Sequence, residues 1–275
     1  MQEYKCIAQH GNLYIPLNNQ MLRNFSGNFR HTRKRGFRCT ENRQVFDCAQ
    51  EYAGRILDKR KKEAVGIIKQ KCFWHGWKYD YGLHEKKAEA LLNNGFSGLR
   101  DYLNSVFMKC PDNYFKEGPR GSKLRFKMPN PDIRRHNDHE VSLLCSYGID
   151  INAERFKSEH MKVQMFMLEN DNKTIAMEVP VWLKPEETKD YIRILNENFP
   201  LTGHIDLLRI ENNKIWVWDY KPNAQNEKYA ATQTYFYALM LSKRTNIPIE
   251  NFMCGWFDTA NAFVFKPKAK SLEEY

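Results

Sequence analysis

The chain has 275 residues, 42% of them hydrophobic and 13% aromatic, enough to bury a core and too apolar for a disordered polypeptide. No apolar run approaches the roughly 18 residues of a membrane span, and the start MQEYKCIAQHGNLYIPL lacks the charge and apolar stretch of a secretory signal. A cytoplasmic protein with no membrane partner is therefore expected, and a net charge of +10 points to a polyanion, most commonly nucleic acid.

Residues 1–44 mix apolar and basic residues around Gly11, Pro16, Gly27 and Gly36, which suits irregular or weakly strand-like structure. Within them Arg30, Arg33, Lys34, Arg35 and Arg38 cluster around Phe29 and Phe37. Such a cluster offers phosphate contacts with aromatics for base stacking, or equally a solvated basic surface. Lys59, Arg60, Lys61 and Lys62 form a second cluster. Val45, Ala49, Tyr52, Ile56 and Leu57 recur at helical steps and predict a helix over 45–71. A second is expected from about Leu83 to Met108, with breaks near Gly95 and Gly98.

Residues 109–131 hold Pro111, Gly118, Pro119, Gly121, Pro129 and Pro131 and read as a linker. They divide the chain into a mainly helical, basic part (1–131) and a mixed part (132–275). In the second part a helix is expected near Val141–Tyr147. KVQMFMLE and TIAMEVPVWL read as strands around a turn at 170–172. Pro185 opens a helix running through Tyr191, Ile194 and Leu195. HIDLLRI and KIWVWDYK form a hairpin, a helix covers about 228–244, and FMCGWFD and AFVFK are short strands. Strands flanked by helices give an α/β class. The seven cysteines form no CxxC pair, which fits reduced thiols and gives no local support for a zinc ribbon or an iron–sulfur cluster.

The hairpin carries the chemistry. A two-residue turn at Asn212–Asn213 pairs Glu211 with Lys214, Ile210 with Ile215, Leu208 with Val217, Asp206 with Asp219 and His204 with Lys221. Side chains two apart share a face, so Asp206, Asp219 and Lys221 come together. Opposed carboxylates repel, and a divalent cation such as Mg²⁺ or Mn²⁺ offsets that, with the lysine beside it. The other reading is a salt bridge near a sheet end. On the following helix Gln233 and Tyr237, four apart, project from one face, with Tyr229 a turn earlier. Gln233 could bond a phosphate or a carboxylate, or the stripe could be ordinary amphipathic packing.

Gly203-His204-Ile205-Asp206, Trp218-Asp219-Tyr220-Lys221 and Gln233-Thr234-Tyr235-Phe236-Tyr237-Ala238 together resemble the PD-(D/E)XK nuclease superfamily, most closely its RecB-like branch with the pattern GxxD, D-Y-K, QxxxY. The resemblance covers 203–238 and extends back to 174. It implies a restriction-endonuclease-like mixed sheet flanked by helices in 132–275. Asp206, Asp219 and the Tyr220 carbonyl would be metal ligands, Lys221 the catalytic lysine, and Gln233 and Tyr237 the supporting motif. The reaction it implies is metal-dependent phosphodiester hydrolysis with Mg²⁺ or Mn²⁺, on DNA ends or single strands, in repair, recombination or defence. A catalytically inactive nucleic-acid-binding protein and an RNA nuclease are the alternatives. The family's upstream His or Glu has His84 as its counterpart here, at a shorter distance from Gly82 than is usual. Glu178 resembles a glutamate of the first core strand, and His139 and Glu140 are further candidates. Some relatives hold an iron–sulfur cluster; with Cys254 alone after the QxxxY helix, none is expected here.

Overall fold

A computed structural model describes residues 68–269, apart from 94, 130, 192–194 and 196–198. Of the helix expected over 45–71, residues 45–67 lie outside the described residues, as do the basic clusters of Arg30, Arg33, Lys34, Arg35 and Arg38 and of Lys59, Arg60, Lys61 and Lys62.

An eight-stranded mixed sheet organises the described residues, in the order β1-β2-β4-β5-β6-β7-β8-β3. In chain order the strands are β1 (Ile68–Trp74), β2 (Lys78–His84), β3 (Arg134–His136), β4 (Thr174–Leu183), β5 (Leu201–Glu211), β6 (Lys214–Tyr220), β7 (Phe252–Phe257) and β8 (Ala262–Phe265). The helices are α1 (Glu85–Leu92), α2 (Ser97–Lys109), α3 (Asp112–Glu117), α4 (Glu140–Ile151), α5 (Glu159–Asn170), α6 (Pro185–Thr188) and α7 (Ala230–Thr245). This is the α/β, restriction-endonuclease-like arrangement expected.

The chain turns between β5 and β6 at Asn212 and Asn213, whose φ angles of 51° and 54° are the left-handed values a two-residue hairpin needs. All of β5 up to Ile210 is buried. A strand buried on both faces needs cover on both. α7 packs against β4, β6 and β7, and α5 against β2, β4 and β5. The α7 side holds a continuous core including Leu208, Val217, Phe236, Met240 and Phe252. The parallel β6–β7 pairing is connected through α7, the crossover a parallel pair requires.

Several expectations are corrected. KVQMFMLE is helix α5, not a strand: its run Val163–Leu168 is buried throughout, and such a run does not distinguish a strand from a buried helix by period. Its Met, Leu, Gln and Glu residues favour the helix. Residues 68–71 and Leu83 are strand, and the helical stretch starts at Glu85; it breaks at Gly95 as expected, whereas Gly98 lies inside α2. The Pro185 helix runs four residues before a 3₁₀ turn over Lys189–Tyr191; Leu195 is helical as expected, and Ile194 lies outside the described residues. The segment read as a linker lies inside one compact unit spanning 67–275. Within it the 3₁₀ turn Gly121–Lys123 packs on α7, and Arg120 bridges to Thr202. Residues 68–131 thus contribute two strands to the same sheet as the remainder.

Candidate active site

β5 and β6 hold the expected register from Glu211–Lys214 to Leu207–Trp218. One step further the ladder stops. Asp206, opposite Asp219 by count, accepts the Tyr220 N–H through Oδ2 at 2.8 Å. A carboxylate thus replaces a ladder carbonyl, and the strand ends open into a pocket of about 380 Å³. Asp206, Asp219, Lys221, Gln233 and Tyr237 all line it. His204 lines it too, but it does not face Lys221: it pairs with Pro180 of β4 and stacks on Tyr79 with centroids 3.7 Å apart.

Asp219 is 1% exposed and is gripped from two elements. Gln233 Nε2 donates to its Oδ1 at 2.7 Å and approaches the Tyr237 hydroxyl at 3.2 Å. Lys221 Nζ lies 2.6 Å from Oδ2, an ion contact without hydrogen-bond alignment. The spacing of Gln233 and Tyr237 on α7 makes this possible, since residues four apart stand one above the other. Gly203 lets the helix come close. A Cβ there would lie 2.1 Å from Tyr237 Cε1, so the Tyr237 ring occupies the space any larger residue would fill.

Glu178 supplies a third carboxylate. The pairs Met177–Leu207 and Val179–Ile205 set it opposite Asp206. Its φ of 49° is left-handed, a conformation that costs a non-glycine residue about 1–3 kcal/mol and is retained at functional sites. Gln164 of α5 donates to its Oε1 at 2.8 Å, while Oε2 is buried without a hydrogen-bond partner. One turn before Gln164, His160 places Nε2 3.7 Å from Asp206 Oδ2 and lines the pocket. His160 is not legible in the sequence because it precedes the run 162–169, whose apolar pattern suits a strand as well as a helix. A helix assignment for 159–170 puts His160 and Gln164 on one face.

The electrostatics follow from crowding carboxylates away from water. Burial pushes the Glu178 carboxyl up to about 8, with Asp206 adding to it. Burial raises Asp219 to about 6, against the pull of Lys221. Burial would lower the Lys221 ammonium, but Asp219 and Asp206 hold it above its usual value. Three carboxylates, two with oxygens lacking an aligned hydrogen bond, form an oxygen donor set with excess negative charge. That set fits a hard divalent cation such as Mg²⁺ or Mn²⁺.

The other candidate ligands lie elsewhere. His84 caps α1, accepting the Lys87 N–H through Nδ1 at 3.4 Å, and burial lowers it to about 4. His139 caps α4, and Glu140 pairs with Lys173 and Arg209. None of the three lines the pocket. Tyr220 has its N–H taken by Asp206 and its hydroxyl bonded to Glu159 at 2.9 Å. No helix of the described residues is long and apolar enough to cross a membrane.

Residues 137–273 match the family model of the PD-(D/E)XK nuclease superfamily. The match takes in α5, β4, β5, β6, α7 and β7, the elements that carry Glu178, Asp206, Asp219, Lys221 and Gln233. No curated protein matches the chain.

Proposed function

Since residues 137–273 belong to the PD-(D/E)XK nuclease superfamily, we propose that the chain is a metal-dependent deoxyribonuclease of the RecB-like kind, hydrolysing phosphodiester bonds from strand ends in repair, recombination or defence. One observation supports this reading above the others. Asp206, Asp219 and Lys221 converge with Glu178 and Gln233 in a single pocket that opens to solvent. A carboxylate–lysine salt bridge at a sheet end would need none of the remaining groups.

Glu178, Asp206 and Asp219 line the pocket and would hold Mg²⁺ or Mn²⁺; Tyr220, whose carbonyl the resemblance implies as a further ligand, is not among the lining residues. When bound, such a cation supplies a Lewis acid and supports water as the nucleophile at neutral pH. The chain's own residues do the rest. Lys221, held as an ammonium by its two carboxylate neighbours, donates to a phosphate oxygen and offsets charge developing there. It keeps its proton in this role. Gln233 fixes the Asp219 carboxylate, and the Tyr237 hydroxyl fixes Gln233 in turn. His160 lies beside Asp206, where it can complete the ligand set.

The test is degradation of end-labelled single- and double-stranded DNA, with matched RNA, in Mg²⁺ or Mn²⁺. Wild type is compared with Asp219→Ala and Lys221→Ala. Cleavage by wild type and loss of about 10²- to 10³-fold or more in both variants is expected, the scale of a lost electrostatic contribution to the transition state. Preference for the RNA substrates would move the assignment to ribonuclease. Equal cutting by the variants, or none by wild type on any substrate, would overturn the reading and favour a binding protein.

A further inference from the structure

The turn between β1 and β2 stands outside the family match yet reaches the pocket. Trp77 lines it while remaining 74% exposed. An exposed indole on the rim of a pocket offers a flat apolar face on which a ligand can stack.

The turn is held firmly from behind. His75 is fully buried, its Nδ1 2.9 Å from His204 Nε2 and its Nε2 3.0 Å from Asp112 Oδ1. Its ring stacks on Phe115 with centroids 3.8 Å apart. Arg120 Nη2 donates to the His75 carbonyl at 2.6 Å, and the His75 N–H closes the turn onto the Trp77 carbonyl at 3.0 Å. An aromatic presented by so fixed a backbone loses little freedom when it is covered. Lys78, Arg120 and Lys221 line the same pocket, so it pairs a flat apolar surface with cations beside the carboxylate cluster. That combination matches an unpaired nucleic-acid strand, whose bases are free to stack while its phosphates meet the cations. A base inside a duplex has both faces covered and offers nothing to the indole.

We propose that Trp77 stacks on the base adjoining the scissile phosphate, making the β1–β2 turn the element that selects unpaired strands. The proposal rests on the nuclease reading for the position of that phosphate.

Anisotropy titrations of the full chain against a labelled single-stranded oligothymidylate and a duplex closed by a loop at each end, in Ca²⁺, read binding without turnover. Trp77→Ala is expected to weaken single-strand binding about 5- to 150-fold, the equivalent of about 1–3 kcal/mol for one stacked base, and duplex binding less than about two-fold. Trp77→Phe is expected to restore most of the loss, with an unchanged melting temperature in both variants because the indole is mostly in water. Trp74 is 72% exposed but does not line the pocket, so Trp74→Ala is expected to leave both affinities within about two-fold. Unchanged single-strand binding in Trp77→Ala, equal loss on both substrates, or an equal effect of Trp74→Ala overturns the proposal. The two readings fail separately. A chain that cuts nothing yet shows Trp77-dependent single-strand binding loses the nuclease reading alone. One that cuts, with Trp77→Ala binding unchanged, loses the stacking alone.

Discussion

Asp219 is the side chain on which the site turns, because Gln233 of α7 holds one of its oxygens and Lys221, at the end of its own strand, faces the other. Replacing Gln233 with Ala leaves Oδ1 without its donor and frees the carboxylate to rotate. Activity is expected to fall about 10- to 100-fold, the usual cost of losing a group that orients a ligand, and steady-state kinetics measures it. Tyr237→Phe removes only the hydroxyl behind Gln233 and is expected to cost less. The convergence of Asp206, Asp219 and Lys221 was legible in the sequence because a strand repeats every two residues and the Asn212–Asn213 turn fixes the register. Gln233 and Tyr237 were legible because a helix stacks positions four apart. His160 was not, since its helix reads as a continuous apolar run. Glu178 is offered by the family resemblance alone, not by the local pattern. Its neighbours Met177 and Val179 are both fully buried, so nothing in the local pattern shows that the strand presents a charge here.

Among the elements, the close approach of α7 to β5 sets the depth of the site. Gly203→Ala places a methyl inside the Tyr237 ring and must push α7 or the ring away. A stability loss of about 1–3 kcal/mol is expected, typical of overpacking, together with a larger relative loss of activity. Chemical denaturation and turnover measured on one preparation separate the two. The GxxD glycine is thus a packing requirement between two elements that the sequence brings near each other only in the fold. The β1–β2 hairpin escaped the sequence reading for a different reason. β1 lies at an edge of the sheet, with four of its seven residues exposed, so its apolar alternation is faint. β2 does alternate, through Tyr79, Tyr81 and Leu83, but Leu83 also suits the start of the helix that follows.

Outside the pocket lining, a buried ion pair ties the end of α5 to β5. Asp171 and Arg209 are both fully buried, with Arg209 Nε 3.3 Å from Asp171 Oδ2 and Glu140 on the other side of the guanidinium. Burial alone would raise the Asp171 carboxyl, but Arg209 and Lys87 hold it below its ordinary value of 3.8. A depressed carboxylate stabilises the fold above its unfolded value, and that contribution disappears as pH falls through the folded one. Stability is therefore expected to drop in acid below about pH 4, and Asp171→Asn is expected to flatten the drop while costing about 3–5 kcal/mol at neutral pH. Urea melts across a pH series test both. At the pocket the opposite charge balance predicts that Mg²⁺ or Mn²⁺ raises the melting temperature. At a hundred times the dissociation constant the gain is about 2.7 kcal/mol, and Asp219→Ala should abolish it in a thermal-shift titration.

Among the described residues the sheet ends on β1 at one side and on the three-residue β3 at the other. Arg134, Arg135 and His136 of β3 are all exposed. A short, cationic border offers few amide groups to an incoming strand and repels a second copy of itself. The border therefore works as a guard against self-templating. Neutralising it with Arg134→Val and Arg135→Val should leave the pocket intact but turn a clear concentrated solution turbid, as β-rich association between molecules becomes easier.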